Sequence, residues 1–429
     1  MIRPRSGAIL GAVLMLLAPD HARAAETDSF DAAPLRPYAG RTIGRIEIEG
    51  LVRTREQAVR WLLGGREGGE LDPDRWIEGV HRLYDTTVLY DVATRAVENR
   101  EQVDLKVGLR DKWTILPYAT FQGGGGSVNL GLGVFDTNLG GYFTNLSVGF
   151  SNLNGVTGYD LNLYQEWFRD TDWYFGLDVS RIGYPTSVYG QGGAAVREFS
   201  FFRNQQQLLI GRRLPQDVRA SVYVERVADA QSAGDPAAGA LLNGYEYWRA
   251  RPTVVIGRSH LTNFLEQGSE LSVGALVGPS VGATFSLKRT WIVGDDANLA
   301  AWASAGVMTD TAYINQYRLG GYDTVRGFAT DRFRGTLTSN ASVEFRPKLW
   351  SHRYSFLDLD WVVLQGAVFA DLGWIFDRQQ QAGLGLVSAG GGLRLIFVRF
   401  SNAILRLDWA RSVSPSEGWD FSFGVGQFF

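Results

Sequence analysis

Three stretches of this chain carry residue types that could do chemistry. The first is Gly278-Pro279-Ser280-Val281-Gly282, the G-x-S-x-G spacing that sets a serine nucleophile on a sharp turn. That chemistry needs a strand before the serine, a helix after it and a histidine within reach. Here alternating strands flank the motif on both sides, and His260 and His352 fall on predicted connections at the opposite ends of the strands. The motif therefore reads as a hairpin turn. The second stretch, glycines 123–126, lacks the Lys-Ser/Thr that a phosphate loop requires and reads as a flexible outer turn. The third is a set of charges: Arg326 within the long segment 320–335, followed by Glu344, Asp371 and Arg394. A guanidinium offers five donors in a fixed fork, enough to hold two carboxylates at once. That is ionic bracing, with no turnover. His81 reads as a structural residue on a helix. No metal-ligand spacing and no cofactor motif appears, and an enzyme is the least expected class.

The elements that position these charges are strands. From Lys112 onward the hydrophobic pattern has period two. Leu146, Val148 and Phe150 alternate with Asn145, Ser147 and Gly149; Leu405, Leu407 and Trp409 alternate with Arg406 and Asp408. One face suits lipid and the other a polar interior. The alternation predicts sixteen strands, beginning with 113–122, 127–136 and 141–151, with eleven before the Arg326 segment and five after it. At about 20 residues per strand and connection, this fits strands of roughly 9–11 residues. Connections after odd strands read long (181–198, 228–246, 309–335, 375–383) and those after even strands short (137–140, 214–217, 294–297); 350–360 is the exception.

Tracking the faces brings the charges together. In the twelfth strand Thr338, Asn340, Ser342, Glu344 and Arg346 share one side. In the thirteenth Gln365, Phe369 and Asp371 do, and in the fourteenth Ser388, Gly390, Gly392 and Arg394. Glu344, Asp371 and Arg394 thus face the lumen, and Gly390 and Gly392 leave space that an inward-folded Arg326 segment can use. By composition alone Arg326 also reads as one more solvated loop charge, since arginines on loops are mostly exposed.

The chain has 429 residues, no Cys, 13% aromatic residues, 52 Gly and a net charge of −3, which argues against nucleic acid as the main partner. Residues 1–24 read as a signal peptide: Arg3 and Arg5, an apolar run over 7–18, and Ala22-Arg23-Ala24 at the cleavage site. Residues 25–41 read as a linker. Residues 42–110 read as one small β-α-α-β-β domain, with Thr54 and Gln57 as a capping pair, Asp72-Pro73 opening the second helix, and Trp76, Val80, Leu83 and Tyr84 as its apolar face. Residues 111–429 form the barrel.

Val325-Arg326-Gly327-Phe328 resembles the signature loop of the outer-membrane assembly superfamily that includes BamA, TamA and the two-partner secretion transporters. Ser342-Val343-Glu344-Phe345 and Phe369-Ala370-Asp371-Leu372-Gly373 resemble its twelfth- and thirteenth-strand motifs, in order, and Asp111-Lys112-Trp113-Thr114 its lead-in to the first strand. Residues 42–110 resemble its POTRA domain. BamA-like proteins carry several such domains and two-partner transporters two; this chain carries one. Phe421, Phe423, Val425 and the terminal Phe429 resemble the C-terminal signal of outer-membrane barrels.

The resemblance implies a mainly β fold: a sixteen-stranded antiparallel transmembrane β-barrel behind one small α/β POTRA domain, in the outer membrane of a Gram-negative bacterium. It implies that Arg326 pairs inside the barrel with Glu344 and Asp371; strand parity adds Arg394 as a further lumen contact. The implied function is assembly or insertion of outer-membrane proteins, with the seam between first and last strands opening to a client and Gly424 and Gly426 weakening the closing strand. A translocator of secreted polypeptide is the alternative, and a passive channel a third reading. Implied partners are the outer-membrane bilayer and unfolded outer-membrane or secreted clients, with periplasmic chaperones or accessory proteins as further candidates.

Overall fold

The computed structural model describes residues 32–86, 88–169, 171–189, 195–234, 246–262, 264–309, 312–354, 359–397 and 403–425. The proposed signal peptide, Gly426 and Phe429 lie outside these residues.

An N-terminal unit comprises β1 (Thr42–Glu49), α1 (Glu56–Leu62), α2 (Pro73–Asp85), β2 (Leu89–Asn99) and β3 (Gln102–Asp111). The sheet order is β1-β3-β2, with β1 parallel and β2 antiparallel to the central β3. Asp72 caps α2 by accepting the backbone N–H groups of Asp74 and Arg75, and Pro73 sits where a missing N–H costs nothing. Trp76, Val80 and Leu83 are buried against the sheet. Two expectations change. Leu35, assigned to the linker, is buried in this core, because an apolar side chain next to an open core gains by entering it. Thr54 does not cap α1, whose cap is Arg55 without a side-chain bond; its hydroxyl instead donates to Asp111.

The barrel strands are β4 (Ile115–Gly124), β5 (Ser127–Leu139), β6 (Thr144–Leu153), β7 (Val156–Gln165), β8 (Trp173–Tyr189), β9 (Ala195–Leu214), β10 (Val218–Gly234), β11 (Glu246–Thr262), β12 (Leu265–Leu276), β13 (Gly282–Val293) and β14 (Ala297–Met308). A short hairpin, β15 (Tyr317–Leu319) and β16 (Phe333–Gly335), follows; β17 (Leu337–Tyr354), β18 (Leu359–Asp377), β19 (Ala382–Phe397), β20 (Ala403–Ser414) and β21 (Gly418–Val425) complete the wall. Sixteen antiparallel strands close into one barrel, with β15 and β16 apart from it. The alternation predicted this count, eleven strands before the Arg326 segment and five after.

Strand lengths differ from expectation. β8, β9, β10, β17 and β18 run to 17, 20, 17, 18 and 19 residues. Residues 181–189, 195–198, 228–234, 375–377 and 382–383, which read as outer loop, are ladder, and so are 350–354 and 359–360, where β17 and β18 stay paired to Tyr354–Leu359 through two register shifts. His260 and His352 accordingly lie on strands. Alternation marks only where one face is apolar. Backbone pairing continues where the alternation lapses, as at Ser187–Glu198 and Val188–Arg197. The first strand starts two residues late, at Ile115, leaving Trp113 exposed before it. Ser280 lies in the connection between β12 and β13, so the G-x-S-x-G match has no helix after it.

The N-terminal unit docks on the first barrel turn. Arg53 Nη2 meets Asp136 at 2.6 Å and its Nη1 donates to Thr114, while Asn138 Nδ2 donates to Thr54 at 2.8 Å. Trp61 stacks on Tyr142, and Phe143 enters the N-terminal core. Asp111 organises this corner, accepting the N–H groups of Val52, Arg53 and Thr54. Burial pushes its pKa up, but these bonds outweigh it and hold the carboxyl below the ordinary carboxylate range. A lowered carboxylate stabilises above its ordinary pKa, and the contribution disappears as pH falls through the lowered value. Asp111→Ala should therefore cost on the order of 1.5 kcal/mol at pH 7, allowing for partial exposure. Amide exchange at residues 52–54 should speed up at pH 7, and the difference between variant and parent should shrink toward pH 3.

Candidate functional site

The segment between β14 and β17 turns into the barrel. Its tip carries Val325 and Phe328, which form a small dry core with Leu319, Ile375 and Leu386. Gly327 takes φ +87°, and a Cβ there would lie 2.9 Å from the Ser412 nitrogen, so the tip can approach the β20 backbone only with glycine at this position. This geometry carries Arg326 into the wall, where it has no solvent exposure.

Arg326 makes a two-pronged contact with Asp371: Nε donates to Oδ2 at 2.9 Å and Nη2 to Oδ1 at 2.8 Å, and its backbone N–H adds a third bond at 3.1 Å. Nη1 donates to Glu344 Oε2 at 2.9 Å and reaches Asp408 at 3.4 Å. Ser342 sits between, accepting from Nη2 and donating to Asp371 at 2.7 Å. Beneath the guanidinium lies the Phe369 ring, 3.3 Å from its centroid to the guanidinium carbon.

The second carboxylate layer ties in further cations. Glu344 Oε1 accepts from Arg346 Nε at 2.8 Å and Arg394 Nη2 at 2.9 Å. Arg394 Nη1 donates to Asp408 at 2.7 Å, and Arg406 lies 3.4 Å from Asp408. The structure thus brings together Arg326, Glu344, Asp371 and Arg394, with Val325, Gly327 and Phe328 beside them.

Asp408, Arg346 and Arg406 were not singled out as site residues, although Asp408 and Arg406 share the lumen-facing parity of β20 and Arg346 that of β17. Parity was the available signal. The glycine space is used otherwise than expected. A Cβ at Gly390 would lie 2.6 Å from the Phe369 ring, and one at Gly392 would collide with Asp408 and Arg394. Phe369 and the β20 carboxylate occupy that room, and the loop rests on them.

Two outer-face residues at the C-terminus, Phe421 and Phe423, line the closing strand; Phe423 stacks on Phe121 of β4 at 4.1 Å.

No family model and no curated protein matches the chain. Solved structures do. A BamA from Haemophilus ducreyi lacking POTRA domains 1–3 aligns over 89% of this chain and 84% of its own, at 14% identity and a TM-score of 0.61. CdiB from Acinetobacter baumannii aligns over 90% and 74%, at 15% identity and 0.65. CdiB from Escherichia coli aligns over 90% and 76%, at 13% and 0.65. The chain shares its fold with BamA and CdiB. In this BamA-like barrel the charged cluster spans four neighbouring strands, β17 to β20, and is sealed by the inward segment.

Removing Arg326 would leave two buried carboxylates short of their partner. Arg326→Ala should destabilise the barrel by about 3–5 kcal/mol, read as a lower temperature of heat-induced mobility shift on gels. Arg326→Lys should recover little, because an ammonium cannot make the two-pronged contact. Asp408→Ala should cost on the order of 3 kcal/mol by removing the carboxylate that Arg394 and Arg406 share.

Proposed function

We propose that this chain is an outer-membrane protein that assembles or inserts other outer-membrane barrels, with residues 42–110 as a periplasmic POTRA domain. The observation that carries the reading is the seam. β21 is in register with β20 over eight pairs, and β4 with β5 over ten. Across the seam, the described residues of β21 and β4 form one pair, Phe423 with Gly123. The first and last strands of the barrel meet there, and such a join is where an incoming strand can add by backbone pairing.

Membrane placement is supported by the wall. Val343, Phe345, Val368, Leu393, Leu405 and Leu407 point outward and exposed, opposite the buried lumen charges. Exposed Trp113, Trp173 and Trp350 stand near the end that bears the N-terminal unit, and Trp248 and Trp419 near the other, as interfacial aromatic girdles do.

The POTRA assignment is supported by the reach of the alignments. The barrel from Ile115 onward is under three quarters of the chain, so an 89% match extends into the N-terminal unit. Its β1 edge is covered: Ile43 exchanges bonds with Gly68 and Gly69, and Leu71 N–H donates to Arg41. The outer edge of β2 remains for a client strand to pair with.

A second reading, passage of a secreted polypeptide through the lumen, is favoured by a cavity of about 550 Å³ lined by Asn162, Tyr164, Asp178, Arg219, Tyr223 and Glu270. Reconstitution separates the two. In liposomes carrying this protein, a second, unfolded outer-membrane barrel should fold faster than in empty liposomes, and Arg326→Ala should abolish the gain. No acceleration by the intact protein would remove the assembly reading in favour of translocation.

A further inference from the structure

We infer that the inward segment also clasps the outer end of the seam, with Thr330 and Asp420 as positioning residues, so that the seam opens only when the segment shifts. This rests on the seam reading above and names what controls it.

The clasp closes on the glycine turn between β4 and β5. Thr330 N–H donates to Gly125 O at 2.9 Å, and Thr330 Oγ1 donates to Gly124 O at 3.0 Å. From the other flank, Gly125 N–H donates to both carboxylate oxygens of Asp420 on β21, each at 3.0 Å. Arg332 of the segment meets Glu417, in the connection before β21, at 2.8 Å. One segment thus holds both sides of the seam. Gly125 takes φ +59°, and a Cβ on it would lie 2.6 Å from Thr330 N and 2.8 Å from Phe328 O. The run of glycines, which chemistry alone read as a loose turn, is what lets three backbones meet.

Below the clasp come the Gly123–Phe423 pair and the Phe121–Phe423 stack. The clasp adds charged and backbone hydrogen bonds at the outer end of this join. It is also tied mechanically to the charged cluster. Phe328, whose carbonyl crowds Gly125, packs in the same dry core as Val325 beside Arg326. Arg406 of the cluster donates to Tyr322 O of the segment at 3.0 Å. Thr330 is four residues from Arg326, too few to absorb a shift of the tip without moving.

The chain has no cysteine, so one introduced thiol reports alone. Ser422 is buried under the glycine turn: a Cβ on Gly124 would lie against the Ser422 side chain. Ser422→Cys therefore places a thiol that is covered while the seam is closed. Its labelling rate by a water-soluble maleimide, with the protein in liposomes and no client present, reads the open fraction. Thr330→Val and Asp420→Ala should each raise that rate about fivefold, the effect of one hydrogen bond on a two-state equilibrium. Arg326→Lys should raise it too, through the segment. Thr330→Val replaces one hydroxyl by a methyl and keeps the N–H bond, so it tests the clasp even where Asp420→Ala does not fold. Folded Thr330→Val protein labelled at the parent rate would overturn the inference. Because no client is needed, that result stands apart from any failure of barrel insertion.

Discussion

A guanidinium cannot rest in a dry wall unless carboxylates meet it there, and this constraint orders the barrel. Moving one charge from water into such a site costs several kcal/mol, and mutual attraction repays it only when the remaining donors and acceptors are also matched. Arg326 meets that condition through Asp371, Glu344 and Ser342, with Phe369 against its face. Those partners are themselves held: Glu344 by Arg346 and Arg394, Arg394 by Asp408. Four guanidiniums and three carboxylates stand or fall together, since a half-matched network in low dielectric is worse than none.

The same segment reaches the far wall before its tip reaches the cluster. Ile314 packs with Phe199 and Phe201, Arg203 donates to Asn315 at 3.0 Å, and Tyr313 OH donates to Ser187 O at 2.9 Å. The segment thus crosses the lumen from the β8–β9 side to the β17–β20 side and then touches β4. A barrel of this size would otherwise have a polar interior open to water. Here a single stretch of backbone fills part of it and joins strands far apart in the wall. At the opposite end, Arg53 ties the N-terminal unit to Thr114 and Asp136, at the start of β4 and on its neighbour β5. The strand on one side of the seam is gripped at its base by that unit and at its tip by the inward segment.

Arg53 and the inward segment thus hold β4 at its two ends, so the N-terminal unit and the Arg326 tip bear on one strand.

Sequence alone determined much of this. Period-two alternation determined strand existence, number and facing, because the outer face and the lumen face of a barrel wall take alternate residues of opposite polarity. It therefore put Glu344, Asp371 and Arg394 on one side, and the motif around Arg326 pointed inward. Strand ends were not legible: the alternation lapses around Arg197 and Glu198, which look like loop while their backbone is still paired. Asp408 carried the right parity, yet nothing local distinguished it from a polar residue facing open water. Its role depends on β20 lying beside β19, with Gly392 giving it room. The clasp at Gly125 was out of reach for the same reason. It joins residues 125, 330 and 420, which come together only when the barrel closes, and closure is a property of the whole wall.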